Sequence, residues 1–172
     1  MSSTESIQSI LVIGVAGSGK STIGRALSER LHCAFLDADS LHSKEDVEKM
    51  SAGHALSDDD RWPWLNAVGQ HISAFERDHQ RSVTACSALQ RRYRDLVREY
   101  VPRAYFVHLE GSIETIRARI ERRHDDFMAP SLLASQFADL EHLEGDEGGL
   151  SVEVTLTPDE IVTRILSSLA AN

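Results

Sequence analysis

The sequence predicts an α/β fold in which helices cover both faces of a parallel sheet. Apolar runs of strand length alternate along the chain with amphipathic stretches of helical spacing, a pattern typical of βαβ units. A glycine-rich turn also joins the first such strand to the first such helix, where ligands collect in folds of this class. With 172 residues, 41% of them hydrophobic, the chain is long enough for one buried core and too short for two ordinary domains.

The predicted elements follow one another in regular order. Strands are predicted over Ile10–Ile13, Ala34–Leu36, Ser82–Ala85, Ala104–Leu109 and Val152–Leu156. Helices are predicted at about 20–31, 44–51, 61–79, 89–99, 112–123 and 131–141. A last helix begins at Pro158, where the N-cap Thr157 and Glu160 are expected to form a capping box. The glycine-rich segment Gly145–Gly149 is predicted to be a mobile surface loop.

The turn from Gly14 to Ser21 has the form GxxxxGK[ST] of a phosphate-binding loop. Its glycines allow successive backbone N–H groups to face phosphate oxygens, and the next helix directs its positive end at the same anion. Lys20 is expected to reach the β- and γ-phosphates of ATP, and Ser21 to hold Mg²⁺. The ATP-binding residues predicted in this segment are Gly14, Gly17, Ser18, Gly19, Lys20, Ser21 and Thr22.

Composition excludes several other classes of protein. The formal net charge of −9 opposes binding to nucleic acid or to anionic lipid, both of which need a basic surface. Cys33 and Cys86 have no metal-ligand spacing and are predicted to be reduced thiols. The polar N-terminal residues resemble neither a signal peptide nor a membrane span, so a cytoplasmic protein is expected.

Two aspartates follow the second predicted strand. On an extended chain, residues two apart face the same way and lie roughly 6.6 Å apart, so Asp37 and Asp39 are expected beside the phosphate loop. Phosphoryl transfer to an alcohol uses one carboxylate as the base and a second near the metal. The residues alone do not decide which aspartate has which role. A strand end followed by an acidic turn is the alternative, but the neighbouring phosphate loop favours the functional interpretation.

Further candidates begin the third and fourth predicted helices. Asp58–Asp60 are interpreted as helix-capping acids, whereas Arg61 beside Trp62 suits the binding of a carboxylate or a polyhydroxy compound. Ser87 and Arg94 follow the third strand, where they either contact substrate or belong to a solvated basic helix face.

Arginines also precede a predicted mobile lid at about 123–131. Arg119 and Arg123 lie four residues apart on one predicted helix, and hence on one face. From there they could neutralise charge on ATP as the γ-phosphoryl group is transferred. Surface pairing with Glu114 or Glu121 is the alternative. The candidate catalytic residues are Lys20, Asp39 and Arg123, with Ser21 and Asp37 as metal ligands.

Taken together, these segments resemble the gluconate kinase (gluconokinase) family of small P-loop kinases over nearly the whole chain. The matching pieces are Gly14–Ser21, Asp37–Asp39 with His42, Lys49–Gly53, Asp58–Leu65, Ala85–Leu89, Tyr93–Asp95, Leu132–Phe137 and Leu140–Glu141. As a set these pieces are specific, whereas the phosphate loop alone is not.

The resemblance implies a three-layer P-loop kinase fold with a five-stranded parallel sheet of the nucleoside-monophosphate-kinase type. It also implies ATP-dependent phosphorylation of D-gluconate at its 6-hydroxyl, and commonly a homodimer. By similarity, Asp39 serves the acceptor hydroxyl, and Arg61 and Arg94 bind the sugar acid. His42 and Gln136 lie in matching pieces and join Ser87 as candidate substrate-binding residues.

Three positions depart from the family pattern. Gln90 stands where the family usually has lysine, Ser43 where it has proline, and Asp126 where it has histidine in the lid. A carboxylate about 4 Å from polyphosphate is repelled by roughly 1 kcal/mol or more, so Asp126 is predicted to turn outward. Favourable charge in the lid would then come from Arg123 and its helix neighbour, with His124 a less well-placed substitute.

Two other functions compete with this interpretation. Shikimate kinase shares the phosphate loop and the Asp-x-Asp pair, but its triple-glycine turn is replaced here by Cys86–Ala88. A non-catalytic nucleotide-binding module would keep the phosphate loop without needing Asp39 and the arginines before the lid.

Overall fold

The computed structural model describes residues 6–123 and 129–172, which are built around a five-stranded parallel sheet. The strands β1 to β5 are Ser9–Ile13, Ala34–Asp37, Ser82–Ala85, Tyr105–Glu110 and Gly149–Glu153. Their order across the sheet is β2-β3-β1-β4-β5, and every neighbouring pair is parallel. The α/β fold and the five-stranded parallel sheet are therefore confirmed.

Helices flank the sheet. In the described residues, α1 to α7 are Lys20–Leu31, Lys44–Ser51, Asp58–Arg77, Arg91–Tyr100, Ile113–Arg122, Pro130–Asp139 and Pro158–Ala170. A short 3₁₀ helix, Ala38–Leu41, follows β2 and is absent from the sequence-based prediction. The capping box of Thr157 and Glu160 is confirmed at the start of α7.

The core lies on both faces of the sheet, and the central strand β1 divides it. Successive side chains of a strand point to opposite faces. Ile10 and Val12 accordingly pack into one apolar cluster with residues of α1 and α7. Leu11 and Ile13 pack into a second cluster with residues of α3 and α4. Because β1 is buried on both faces, its carboxyl end carries the phosphate loop on a fixed support.

The fifth strand lies earlier in the chain than the sequence predicts. It begins at Gly149, three residues before the predicted start at Val152, and it pairs Gly149 with Phe106. A Cβ atom on Gly149 would lie 2.2 Å from the Phe106 carbonyl oxygen, so glycine here permits close approach of two backbones. Glu147 in the same segment is 5% exposed. The prediction of a surface loop over Gly145–Gly149 is therefore wrong at its carboxyl-terminal half.

Helix α3 begins earlier than predicted because its start is capped. Ser57 accepts a hydrogen bond from the Asp60 N–H, and Asp60 accepts one from the Ser57 N–H, which completes a capping box. The Lys49 ammonium also donates to Asp60 at 2.6 Å. The hydrogen bonds from Lys49 and Ser57 lower the pKa of Asp60 to about 2. The helix-capping role predicted for this acidic cluster is thus found at Asp60.

Some expectations fall outside the residues that the structure describes. The predicted lid at about 123–131 includes residues 124–128, and with them His124 and Asp126. The described ends of that segment are Arg123, the C-cap of α5, and Ala129, the N-cap of α6. Among the helices that are described, none is both long and apolar enough to cross a membrane.

Candidate active site

The phosphate loop has a backbone that only glycine adopts easily. Gly14, Gly17 and Gly19 have φ angles of 152°, 78° and 96°, in the region that L side chains disfavour. At Gly14, a Cβ atom would stand 2.7 Å from the Ser18 hydroxyl oxygen. At Gly17, it would stand 2.7 Å from the Ile120 side chain. The predicted glycines are thus required by the local geometry.

Polar groups of the loop are poised for an anion. The Ser18 side chain is 1% exposed, and its hydroxyl has no hydrogen-bond partner in the described part of the chain. Lys20 opens α1 and donates from Nζ to the Val15 carbonyl at 3.0 Å. Burial lowers the pKa of Lys20, while the charges of Asp39 and Asp37 oppose that shift. Thr22 is exposed on the first turn of the same helix.

Asp37 and Asp39 occupy different environments. Asp37 accepts a hydrogen bond from the Ser21 hydroxyl at 2.9 Å and another from the Asp39 N–H at 3.1 Å. Asp37 therefore caps the 3₁₀ helix that contains Asp39, and the expectation that both residues lie on one extended segment is wrong. The Asp39 side chain is 70% exposed. One carboxylate is held beside Ser21, and the other is open to solvent.

His42 and Trp64 support the segment that carries Asp39. The His42 ring stacks on Trp64 with a centroid distance of 4.2 Å and an interplanar angle of 17°. The Trp64 indole donates to the Ala38 carbonyl at 2.7 Å. His42 Nε2 lies 3.8 Å from Asp39 Oδ1, and burial lowers the pKa of His42. The ring thus stands as a neutral, stacked neighbour of the open carboxylate.

Arg61 lies among polar side chains of three helices. It donates to the Tyr93 hydroxyl at 2.6 Å and to Asp139 at 3.1 Å. The Tyr93 hydroxyl in turn donates to Asp58 at 2.6 Å. Two of the five guanidinium N–H groups are therefore used within the described part of the chain. We call Asp39, His42, Arg61 and Tyr93 the acceptor side.

The surroundings of Arg94 do not agree with its predicted role in substrate binding. Its side chain is 0% exposed and forms a salt bridge with Glu147, whose side chain is also 0% exposed. The guanidinium donates to both Glu147 oxygens and to the carbonyls of Ala88, Leu89, Glu141 and His142. With its donors used in this way, Arg94 has no free N–H group to offer a substrate. It positions the backbone that follows β3 instead.

Ser87 lies half-buried in that same backbone. Its carbonyl accepts a hydrogen bond from the Leu89 N–H at 2.8 Å. The preceding Cys86 is 0% exposed, and burial raises the pKa of its thiol to about 12, with the charge of Lys20 acting in the opposite direction. Ser87 therefore lies next to Cys86, whose pKa is affected by the charge of Lys20.

The arginines of α5 lie near the phosphate loop. Arg119 donates to the Val154 carbonyl, and its Nη1 lies 4.0 Å from the position of a Cβ atom on Gly19. Arg123 is exposed at the end of α5, and its charge contributes to the lowered pKa of Lys20. Both predicted ATP-side arginines thus face the phosphate loop or act on it electrostatically.

Helix α6 connects the two parts of the site. Gln136, which the resemblance assigns to substrate, accepts a hydrogen bond from the Ala16 N–H of the phosphate loop at 2.7 Å. Asp139, three residues later, accepts from Arg61 and from Gln90, the latter at 3.4 Å. Asp139 is not among the site residues predicted from the sequence. Its spacing of three residues from Gln136, which puts both on one helix face, could have indicated it.

Comparisons with known proteins place the chain in a family. The sequence model of the shikimate kinase family matches residues 16–169. The thermoresistant gluconokinase of Escherichia coli (strain K12) is 41% identical over 148 residues, which cover 86% of this chain and 85% of that protein. The gluconokinase of Arabidopsis thaliana is 41% identical over 174 residues, which cover 94% and 92%.

A solved structure agrees with these relatives. The crystal structure of a gluconokinase from Sinorhizobium meliloti 1021 superposes with a TM-score of 0.88 at 42% identity, covering 96% of this chain and 93% of that one. The chain therefore belongs to the gluconokinase family, within the wider group of P-loop kinases that the shikimate kinase model describes.

Proposed function

We propose that the protein transfers the γ-phosphoryl group of ATP to the 6-hydroxyl of D-gluconate. The observation that carries the proposal is the pair of unlike aspartates beside the phosphate loop. Asp37 is bound to Ser21, whereas the carboxylate of Asp39 is open. Transfer to an alcohol needs both kinds of carboxylate at one site.

The phosphate side of the reaction follows from the loop. Backbone N–H groups and the unpartnered Ser18 hydroxyl would bind phosphate oxygens, and Lys20 would exchange the Val15 carbonyl for a phosphate oxygen. The oxygens of Ser21 and Asp37 suit Mg²⁺, which prefers such ligands. When bound, Mg²⁺ neutralises charge on the β- and γ-phosphates. Arg119 and Arg123 would supply further positive charge there.

Asp39 would act as the general base. Its open carboxylate would accept the proton of the acceptor hydroxyl as the oxygen attacks phosphorus. The neutral His42 ring beside it would limit the space for water without competing for the negative charge. Asp37 cannot take this role as easily, because both of its oxygens already accept hydrogen bonds.

The acid group of the substrate would bind at Arg61. Three N–H groups of its guanidinium remain beyond the bonds to Tyr93 and Asp139, enough for a planar two-point contact with a carboxylate. Ser87 and Gln136 remain candidate contacts from the carboxyl end of β3 and from α6. Gln90 supplies no positive charge where the family usually has lysine. Its amide donates a hydrogen bond to Asp139.

An assay of ADP release tests the substrate. The protein is supplied with ATP, Mg²⁺ and each of several acceptors: gluconate, other aldonic acids and shikimate. We expect the highest kcat/KM with gluconate. The match to the shikimate kinase model makes shikimate the second candidate, and a preference for it would refute the proposal. ATP binding without ADP release from any acceptor would identify a nucleotide-binding module.

Lys20→Ala tests the role of the phosphate-loop lysine in catalysis. It should lower kcat on the order of 10³-fold, because it removes a charge that acts on the transferring group. Its melting temperature should stay that of the wild type, since the side chain lies at the loop. A variant that retains more than about a tenth of the wild-type rate would remove Lys20 from the mechanism.

Two accompanying expectations from the sequence do not depend on the site. These are assembly into a homodimer and residence in the cytoplasm. Size-exclusion chromatography with light scattering tests the first, and fractionation of the source cells tests the second.

A further inference from the structure

Two histidines and a glutamate come together where β4 ends. A ring nitrogen of His108, a ring nitrogen of His142 and a carboxylate oxygen of Glu110 all lie within 4.8 Å of one another. Glu110 Oε1 is 3.3 Å from His108 Nδ1 and 3.0 Å from His142 Nδ1. Ligand atoms of a tetrahedral ion with bonds of about 2.1 Å lie roughly 3.4 Å apart, so small side-chain rotations suffice to surround an ion.

The ring of His108 is buried without hydrogen bonds to the described residues. The residue is 1% exposed, yet neither ring nitrogen has a hydrogen-bond partner in the described part of the chain. The contact with Glu110 lacks hydrogen-bond geometry. Burying an unpaired polar group costs about 1–3 kcal/mol, so an imidazole in this position needs a partner. A bound metal ion is such a partner, since metals bind the ring nitrogens of neutral imidazole.

The backbone around the cluster is held in place. The Arg94 guanidinium donates to the carbonyls of Glu141 and His142, and the Glu141 N–H donates to the Leu89 carbonyl at 2.8 Å. On the other side, Glu110 is the last residue of β4 and pairs with Glu153 in the sheet. The ligand set is therefore preorganised, with the exposed His142 side chain free to adjust.

Space for a further ligand is present. A cavity of about 340 Å³ adjoins the cluster and is lined by all three residues together with Val15 and Glu153. Three protein ligands and one open position are typical of zinc sites that keep a water molecule. Val15 belongs to the phosphate loop, and its carbonyl binds Lys20, so the cavity borders the nucleotide side of the site.

We propose that His108, Glu110 and His142 bind one divalent transition-metal ion of the zinc class. Imidazole nitrogens favour Zn²⁺, Co²⁺ or Ni²⁺ over Mg²⁺, which prefers oxygen ligands alone. The site is distinct from the pair of Ser21 and Asp37, and the proposal does not depend on the acceptor of the kinase. The ion joins the end of β4 to the segment between α6 and β5.

Calorimetric titration of the metal-free protein with Zn²⁺ tests the site. We expect one ion per chain, with at least tenfold weaker binding in His142→Ala and in Glu110→Gln. His142 is 71% exposed, so its replacement leaves the fold intact. His71→Ala, which removes an exposed histidine on α3, is the matched control and should bind as the wild type does. Equal binding by His142→Ala and wild type, or no binding by wild type, would overturn the proposal.

Two further measurements define the ion and its effect. Co²⁺ should produce visible d–d bands typical of low coordination number, and these should be absent in His142→Ala. Saturating Zn²⁺ should raise the melting temperature of the wild type by several degrees, but not that of His142→Ala. Mg²⁺ at the same concentration should produce neither change at this site. A Co²⁺ spectrum unaffected by the His142 substitution would place the ion elsewhere and refute the assignment.

Discussion

Two arginines predicted to bind the sugar acid have different surroundings. Arg61 uses two of its N–H groups, and 15% of its side chain is exposed. Arg94 is 0% exposed and uses its donors on Glu147 and four carbonyls. Arg61 lies in the first turn of α3 and Arg94 in the first turn of α4, and both helices begin at the same edge of the sheet. Position at that edge therefore predicts proximity to the site, whereas the partners decide between binding and support.

The difference predicts separate consequences for the two regions. Changes at Asp39 and Arg61 should lower turnover and leave stability intact, because the Asp39 carboxylate is open to solvent and Arg61 uses only two of its N–H groups within the described part of the chain. Changes at Arg94 and Glu147 should lower stability first, because each would remove the main partner of a buried charge. The following variants test this separation, from the largest expected effect to the smallest.

Asp39→Asn should have the largest effect on turnover. The amide keeps the size of the side chain but cannot accept the proton, so kcat should fall by about 10²–10⁴-fold. ATP binding and the melting temperature should both remain those of the wild type. Steady-state kinetics and an ATP titration measure the two properties separately.

Asp59→Asn is the control, since Asp59 is an exposed acid in the first turn of α3. It should leave kcat unchanged. If Asp39→Asn loses ATP binding and turnover to the same extent, Asp39 has a structural or metal-side role and Asp37 becomes the candidate base.

Arg94→Met should have the largest effect on stability. It removes the main partner of the buried Glu147 carboxylate, which then keeps the Arg98 guanidinium at 2.8 Å. The loss should therefore approach the cost of a broken buried pair, about 3–5 kcal/mol of the free energy of unfolding. Urea denaturation measures the loss. Arg77→Met, at an exposed arginine that ends α3, should change stability by less than about 0.5 kcal/mol.

The double variant Arg94→Met with Glu147→Leu separates charge from packing. Replacing both partners by apolar residues is often neutral or stabilising, so the double variant should recover the part of the loss that is due to the buried carboxylate. A double variant as unstable as the single one would show that the lost hydrogen bonds to the four carbonyls and the lost packing of the guanidinium dominate instead.

Arg61→Ala should lower kcat/KM for gluconate by at least tenfold, equivalent to about 1.4 kcal/mol or more. The loss of a contact with the substrate carboxylate is the physical reason. Arg61→Lys keeps the charge but not the planar fork, so it should recover only part of the activity. A wild-type kcat/KM in Arg61→Ala would place the acid group of the substrate elsewhere.

The pH dependence of stability should show the smallest effect. Hydrogen bonds from Arg94 and the Glu144 N–H outweigh burial and lower the pKa of Glu147 from 4.5 to about 2. A lowered carboxyl pKa stabilises the fold above pH 4.5, and that contribution declines as the pH falls towards 2. Between pH 7 and pH 4, the wild type should lose about 1 kcal/mol more than Glu147→Gln in urea denaturation. Equal losses would contradict the lowered pKa.

Much of the fold was accessible from periodicity. The alternation of apolar runs predicted five strands and located four of them closely, because each of these buries side chains or packs against a helix. The position of β5 was not accessible, since Gly149 there serves a close contact with Phe106 and resembles a turn residue in the sequence. The 3₁₀ helix was not predicted, because the pair of aspartates was interpreted as part of an extended segment. In the structure the Asp37 side chain instead accepts a hydrogen bond from the Asp39 N–H and caps the helix.

The candidate site was predictable only where a motif carries local geometry. The phosphate loop depends on consecutive residues, so its glycines and Lys20 could be assigned directly. The burial of Arg94 depends on Glu147, which is 53 residues away along the chain. The joining of His108 with His142 depends likewise on how α6 leads into β5. Single-sequence patterns carry no information about such distant pairs.

Both tryptophans of the chain lie at the acceptor side, a feature with a practical consequence. Trp64 stacks on His42 and binds the Ala38 carbonyl, while the ring of Trp62 meets Tyr93 edge-on at 5.6 Å. Their emission spectra therefore depend on the surroundings of the acceptor-side residues and need no attached dye. If the acceptor binds at these residues as proposed, tryptophan fluorescence should change on its addition and report the binding directly.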